Sequence, residues 1–213
     1  MISAVGLKLK SPALTSVTTN YDRRFMHNKY DCNVTIIYQG QLHICEAGEA
    51  IYTLLGSCIA VCVRDVKLGF GGMNHFLLPA SPCKKKSILE SDAARYGDWS
   101  MEMLLNGMYK VGSRKQDLEI KIFGGGDVSS SVGGEIGGRN AEFVREYLYN
   151  EGIDIAGANT GGTYSRKVYY FPGTGKVKLK RVDQAMDDGV AEREIAYLKQ
   201  LKNKPQVGDI ELF

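Results

Sequence analysis

The feature that most constrains the fold is a pair of apolar segments, CIAVCVRD and GGMNHFLLP, joined by the turn VKLGF over residues 58–79. The first segment is rich in β-branched residues and too short for a typical helix, which favours a strand. Pro79 ends the second segment, because proline has no backbone N–H to donate to a ladder. The pattern therefore predicts an antiparallel hairpin.

The register of this hairpin decides which side chains meet. If the turn centres between residues 66 and 67, Cys58 lies directly opposite His75. Residues in such a pair have Cβ atoms about 4.5–5.5 Å apart, within reach of a sulfur and an imidazole nitrogen. A loop of odd length would place Asn74 or Phe76 opposite Cys58 instead.

A Cys–His pair has two interpretations. In the catalytic one, the imidazole of His75 takes the proton of the Cys58 thiol, and the thiolate attacks a carbonyl carbon. In the structural one, both residues are core residues, since cysteine often behaves as a small buried hydrophobe. The residue pattern alone leaves both interpretations open.

Nearby residues supply the other parts that acyl transfer from an amide or ester would need. Thr53, Ser57 and Asn74 are local candidates for a group that orients the histidine. The backbone N–H groups around Gly56, Ser57 and Cys58 are candidates for an oxyanion hole, because small residues leave the backbone accessible.

The rest of the chain predicts an α/β fold, a single-domain layered sandwich with a mixed β-sheet and two to three helices. We expect an N-terminal arm over residues 1–30, the main domain over 31–183 and a C-terminal helix and tail over 184–213. Further strands are predicted over 32–40, 42–48, 118–124, 153–159, 166–171 and 176–182, and helices over about 91–111, 139–151 and 184–202.

Charge and cysteine content exclude several classes of protein. The net charge of +3, from 27 basic and 24 acidic residues, is too weak to indicate nucleic-acid binding. No apolar run approaches the ~20 residues of a membrane span. Five cysteines, an odd number in a chain of 213 residues, indicate free thiols and a cytoplasmic protein. His43 and Cys45 share a strand face, but no second ligand pair has suitable spacing, so no metal site is predicted.

Two glycine-rich segments leave alternatives open. Residues 124–138 lack the G-K-[ST] of a phosphate-binding loop and fail the dinucleotide fingerprint. This segment is either a flexible loop or the mouth of the site. Gly161 and Gly162 either permit a turn or, with Thr163, contact substrate.

The tail 206–213, QVGDIELF, is either a frayed terminus or a short peptide that docks into a partner's groove.

Several segments of the chain together carry a resemblance to a known family. These segments are TLLGSCIAVCVRD followed by GGMNHFLLP, then KIFGGGD and GGRNAEFVREYLYNEGIDIAGANTGGTYSRKVYYFPGTGKV. Together they resemble the CheD family, the chemoreceptor glutamine deamidases of bacterial chemotaxis. With YDRRF upstream, the resemblance covers roughly residues 21–182.

The resemblance implies a protein-glutamine glutaminase with a Cys-His-Thr triad, in a fold like that of bacterial toxin deamidases. By motif position, Cys58 would be the nucleophile, His75 the base and Thr53 the third member. It implies no cofactor and no metal. The partners it implies are the cytoplasmic domains of chemoreceptors, and in some relatives a CheC-type phosphatase.

The sequence is compatible with four functions. The presence of both Cys58 and His75 favours the deamidase over a non-catalytic adaptor that regulates a CheC-type phosphatase. A cysteine hydrolase with a small-molecule amide substrate is disfavoured by the resemblance alone. Methylester hydrolysis would pass through the same acyl-enzyme, so the sequence leaves that substrate open as well.

Overall fold

The computed structural model describes residues 24–78, 92–128 and 135–182, with Gly189 and the helical positions 192–194, 196–197 and 199. Within these residues, ten strands form two five-stranded sheets. The first sheet has the order β1 (Arg24–His27), β2 (Cys32–Ile36), β4 (Glu49–Leu55), β9 (Ser165–Phe171) and β10 (Lys176–Val182). The second has the order β3 (Gln41–Cys45), β6 (Gly71–His75), β5 (Ile59–Asp65), β7 (Leu118–Gly124) and β8 (Ile155–Thr160).

Strand directions are mixed in both sheets. The pairs β2–β4 and β7–β8 are parallel, and the other ladders are antiparallel. Helices α1 (Asp92–Lys110) and α2 (Glu135–Asn150) pack against the second sheet, and a short 3-10 turn (Lys115–Asp117) precedes β7. The predicted α/β layered sandwich with a mixed sheet is confirmed.

Two hydrophobic layers hold these elements together. The outer layer lies between the helices and the second sheet, and includes Met101, Leu104 and Phe143. The inner layer lies between the two sheets, and includes Ile51 and Tyr170. Each such side chain contributes about 1.5–3 kcal/mol when it is fully buried, so the second sheet is stabilised from both faces.

Strand β5 shows the consequence of this middle position. Its odd-numbered residues Ile59, Val61 and Val63 join the outer layer, while Ala60 and Cys62 join the inner one. Both faces are therefore apolar, and the segment carries no alternation between polar and apolar residues.

The hairpin forms, but the predicted register is wrong. Cys62 pairs with Met73 and an isolated bridge joins Ile59 to Phe76, so His75 lies opposite Ala60 rather than Cys58. The cause is Asp65, whose Oδ1 accepts hydrogen bonds from the N–H groups of residues 67 and 68 at 2.8 and 2.9 Å and moves the turn along the chain. The displacement is two residues, so Cys58 and His75 still share a face.

Other elements differ from the sequence predictions in extent. Strand β1 falls in the range predicted as an arm, β4 was not predicted, and α2 begins at Glu135 rather than at 139. Residues 192–194, 196–197 and 199 are helical, as predicted for this region. The first 23 residues and the tail 206–213 lie outside the described residues. No helix in the described part of the chain is long and apolar enough to cross a membrane.

Candidate active site

The Gly56–Cys58 segment connects β4 of the first sheet to β5 of the second. Its carbonyl groups are all held from one side. The Gly126 and Gly125 N–H groups donate to the carbonyls of Gly56 and Cys58 at 2.8 and 2.7 Å. The Asn140 side-chain amide, on α2, donates to the Ser57 carbonyl at 2.7 Å.

The carbonyl groups of these three residues accept the hydrogen bonds just described. The N–H groups of the same three residues converge on one carboxylate, that of Glu194. Gly56 N and Cys58 N each donate to Oε1 at 3.1 Å. Ser57 N donates to Oε2 at 3.0 Å, and the Ser57 hydroxyl donates to the same oxygen at 2.6 Å. Successive N–H groups that converge in this way form an anion-binding nest. The structure thus brings together the predicted oxyanion residues around a negatively charged group.

His75 and Thr53 meet in the inner layer, where both are essentially without solvent exposure. The Thr53 hydroxyl donates to the Ile37 carbonyl at 2.8 Å, and its Oγ1 lies 2.7 Å from His75 Nδ1. A hydroxyl has only one proton, so Thr53 must accept the second hydrogen bond, from Nδ1–H. This assignment leaves Nε2 as the unprotonated nitrogen, and within the described residues Nε2 has no hydrogen-bond partner.

The closed site holds the thiol and the imidazole in their neutral forms. Burial lowers the pKa of His75 to about 3. Burial raises the pKa of the Cys58 thiol well above its usual range, and the charge of Glu194 and a hydrogen bond with it raise that pKa further. A hydrogen bond with the Gln39 side chain acts in the opposite direction on the thiol pKa.

A cavity of about 200 Å³ adjoins His75 and gives the site room for a side chain. Its lining includes Ile37, Gln39, Tyr52 and Thr53. Gln39 was not among the sequence candidates, because the turn after β2 has no motif that links it to Cys58.

Asn74, a candidate for orienting His75 or for contacting substrate, connects secondary-structure elements in this structure, and a role in the site remains a prediction. It is fully buried on the opposite face of β6 from His75. Its Oδ1 accepts from Val61 N at 2.9 Å, and its Nδ2 donates to the Ser100 carbonyl at 3.2 Å. These contacts connect β6 to β5 and to α1.

The described part of the first glycine segment forms the back of the site. Gly124 has φ +113°, and a Cβ there would lie 2.1 Å from the Cys58 carbonyl oxygen. Only glycine allows this close approach of the two backbones.

The second glycine segment flanks the first. Gly161 N donates to the Gly124 carbonyl at 3.0 Å, and the Gly162 carbonyl accepts from Asp127 N at 2.7 Å. Thr163 is exposed. The second glycine segment therefore contacts the first glycine segment, which in turn contacts Gly56–Cys58. A contact of Gly161, Gly162 or Thr163 with substrate remains a prediction.

One cluster among the described residues has ligand atoms close enough for a metal ion. Atoms of His43, Cys45 and Glu49 lie within 4.8 Å of one another. The Glu49 carboxylate already forms an ion pair with Arg24, so this cluster contains a cation of its own. The absence of a metal site remains a prediction.

Comparison with known proteins identifies the family of this chain. The family model for CheD chemotactic sensory transduction matches residues 77–181. A probable chemoreceptor glutamine deamidase CheD of Saccharophagus degradans is 40% identical over 212 residues, covering 97% of this chain and 94% of the relative. Proteins of the same name from Methylobacillus flagellatus and Halorhodospira halophila are 39% and 42% identical, covering 96% and 83% of this chain and 100% and 83% of the relative. The chain belongs to the CheD family.

Proposed function

We propose that this protein hydrolyses the side-chain amide of glutamine residues in the cytoplasmic domains of chemoreceptors, leaving glutamate and releasing ammonia. The observation that carries the proposal is the Gly56–Cys58 nest, which presents N–H groups to an anion at the position of Cys58, and Cys58 shares a sheet face with His75 beside Thr53. The names of the relatives, probable chemoreceptor glutamine deamidases, supply the substrate class.

Acylation would begin with proton transfer from the Cys58 thiol to His75 Nε2. The sulfur then bonds to the γ-carbonyl carbon of the substrate, and the carbonyl oxygen becomes an oxyanion. The N–H groups that now bind Glu194 Oε1, those of Gly56 and Cys58, are placed to donate to this oxyanion. The C–N bond breaks as His75 returns the proton to the departing nitrogen, so that ammonia leaves and a thioester remains.

Deacylation would use the same groups with water as the nucleophile. His75 takes a proton from water, the hydroxide attacks the thioester, and the thiol of Cys58 leaves with that proton. Thr53 acts throughout as a positioning residue, since its hydroxyl holds Nδ1–H and so keeps Nε2 available as the base. Binding of a CheC-type phosphatase, and docking by residues 206–213, remain predictions.

The test is incubation of the full chain with the cytoplasmic fragment of a chemoreceptor from the same organism, with each glutamine followed by mass spectrometry. We expect conversion of particular glutamines by wild type and by Cys32→Ala, the matched control, because Cys32 is a partly exposed thiol on β2. We expect no conversion by Cys58→Ala. Intact glutamines after incubation with wild type would refute the proposed activity, and conversion by Cys58→Ala at the wild-type rate would refute the mechanism.

A further inference from the structure

Glu194 is a buried carboxylate that the proposed reaction does not use. Its exposed fraction is 4%, although it lies among exposed neighbours on a helix, such as Glu192 and Arg193. Burial of a charge is costly unless hydrogen bonds compensate it. Here both carboxylate oxygens are satisfied by donors from Gly56, Ser57 and Cys58, so the contact is a built anion site.

The carboxylate of Glu194, which occupies the nest, has the chemistry of the product of the proposed reaction. The side chain of glutamate is what hydrolysis of a glutamine amide leaves behind. Oε1 of Glu194 lies between the Gly56 and Cys58 N–H groups, where the reacting carbonyl oxygen would sit. Oε2 accepts from the Ser57 N–H and hydroxyl, where the second carboxylate oxygen of the product would sit.

A second contact anchors the same helix. Tyr197, three residues after Glu194 and so on the same helix face, is partly buried against the inner layer that contains Cys58. Its hydroxyl is hydrogen-bonded to that of Tyr96 on α1. With Glu194 and Tyr197 in place, Cys58 has no exposed surface.

We infer that the Gly56–Cys58 nest is a binding site for the side-chain carboxylate of glutamate, and that the helix carrying Glu194 fills it as a tethered analogue of the reaction product. A receptor glutamine and Glu194 therefore compete for one site, and the enzyme acts only when this helix leaves. The inference rests on the proposed function for the identity of the competing substrate. The binding of the carboxylate itself can be tested without a receptor.

The first test measures the rate at which iodoacetamide alkylates Cys58, followed at that residue by mass spectrometry. Glu194→Ala removes a charge and a hydrogen bond that both raise the pKa of the thiol, and it opens the nest. A larger thiolate fraction and an open nest both raise the rate, so we expect alkylation several-fold faster than in wild type. Glu192→Ala, which changes an exposed carboxylate two residues away, is the matched control and should alkylate at the wild-type rate.

Equal alkylation of Cys58 in Glu194→Ala and wild type would overturn the inference, whether or not the protein deamidates receptors. Urea unfolding of each variant distinguishes a local opening from loss of the fold. Tyr197→Phe provides a second variant, because it keeps the carboxylate and weakens the anchor on Tyr96. It should accelerate alkylation by less than Glu194→Ala, and an effect larger than that of Glu194→Ala would contradict the assigned role of the carboxylate.

The second test uses the receptor fragment and separates KM from kcat. A competitor within the chain reduces the fraction of open sites, which raises the apparent KM and leaves kcat unchanged at saturation. Glu194→Ala should therefore lower KM with the wild-type kcat. An unchanged KM in an active enzyme would overturn the inference while leaving the proposed function standing, and inactivity of wild type and variant alike would refute the proposed function instead.

The third test makes the tethered group a substrate. In Glu194→Gln, Cys58 Sγ bonds to the side-chain carbonyl carbon, the C–N bond breaks with release of ammonia, and water hydrolyses the thioester to restore glutamate. We expect slow conversion at position 194, absent in the double variant with Cys58→Ala. Chymotryptic digestion is needed, since trypsin cleaves after Arg193 and would leave position 194 at a peptide N-terminus. No conversion under conditions in which the same variant fully converts the receptor fragment would overturn the product analogy.

Discussion

Substitution of Thr53 by valine tests how the site sets the protonation of its histidine. Valine has nearly the shape of threonine but removes the hydroxyl that joins the Ile37 carbonyl, at 2.8 Å, to His75 Nδ1, at 2.7 Å. Both partners would lose the hydroxyl that now bridges them. Nδ1–H would no longer have the Thr53 acceptor that favours it, and the tautomer protonated at Nε2 has no lone pair there to accept the proton of the Cys58 thiol.

The magnitude follows from the cost of an unsatisfied buried group, about 1–3 kcal/mol. If that cost falls on the base-competent tautomer, kcat for receptor deamidation should decrease about 5- to 150-fold. The Ile37 carbonyl loses its donor in either tautomer, so we also expect unfolding free energy to fall by about 1–3 kcal/mol in urea titrations.

Thr53→Ser is the matched control, because it keeps the hydroxyl and removes only a methyl group. It should retain kcat close to the wild-type value. The reasoning is refuted if Thr53→Val has wild-type kcat, or if Thr53→Ser is impaired as strongly as Thr53→Val, since a purely steric role would then explain the data.

Three further predictions concern stability and positioning. Burial lowers the pKa of His75 to about 3, from 6.5, so the unfolded state binds this proton more readily than the folded state. The unfolding free energy should therefore fall on acidification below pH 6.5, by about 2 kcal/mol at pH 5. Urea titrations of His75→Gln should show a smaller loss, and an equal loss would contradict this prediction. Asn140→Ala removes the hydrogen bonds of the buried Leu78 N–H and the partly buried Ser57 carbonyl, and should lower the unfolding free energy by about 2–4 kcal/mol, whereas a loss below about 0.5 kcal/mol in the same titration would disprove that role. Gly124→Ala would place a methyl group against the Cys58 carbonyl and should abolish receptor deamidation. Gly138→Ala, at a position in α2 with open space around it, should leave the deamidation rate intact. Equal rates for the two variants would show that Gly124 does not position Cys58.

Local patterns in the sequence were enough to predict the hairpin and the shared face of Cys58 and His75. The register was beyond them, because Asp65 sets the turn through side-chain hydrogen bonds to residues 67 and 68 rather than through a glycine or proline signal. Strand β4 was missed for a related reason. It follows β3 after a short turn, but its partners are β2 and β9 in the other sheet, and no local pattern reports that change of sheet.

Residues that act across long separations in the chain were the least predictable part of the site. Asn140 reaches Ser57 from α2, and nothing in an amphipathic helix distinguishes a buried amide from a solvated one. Glu194 lies in a charged stretch typical of an exposed helix face. Its spacing to Tyr197 was the one signal available, since an acid and an aromatic residue at i and i+3 lie on the same face.

Cys58 is the proposed nucleophile of the reaction, and stoichiometric inactivation tests that role directly. The Cys32→Ala variant is treated with iodoacetamide, and at each time point the modified fraction of Cys58 is measured together with the residual rate of receptor deamidation. We expect the residual rate to fall in direct proportion to unmodified Cys58 and to reach zero when alkylation is complete. Deamidation that persists after every Cys58 thiol has been alkylated would contradict the account.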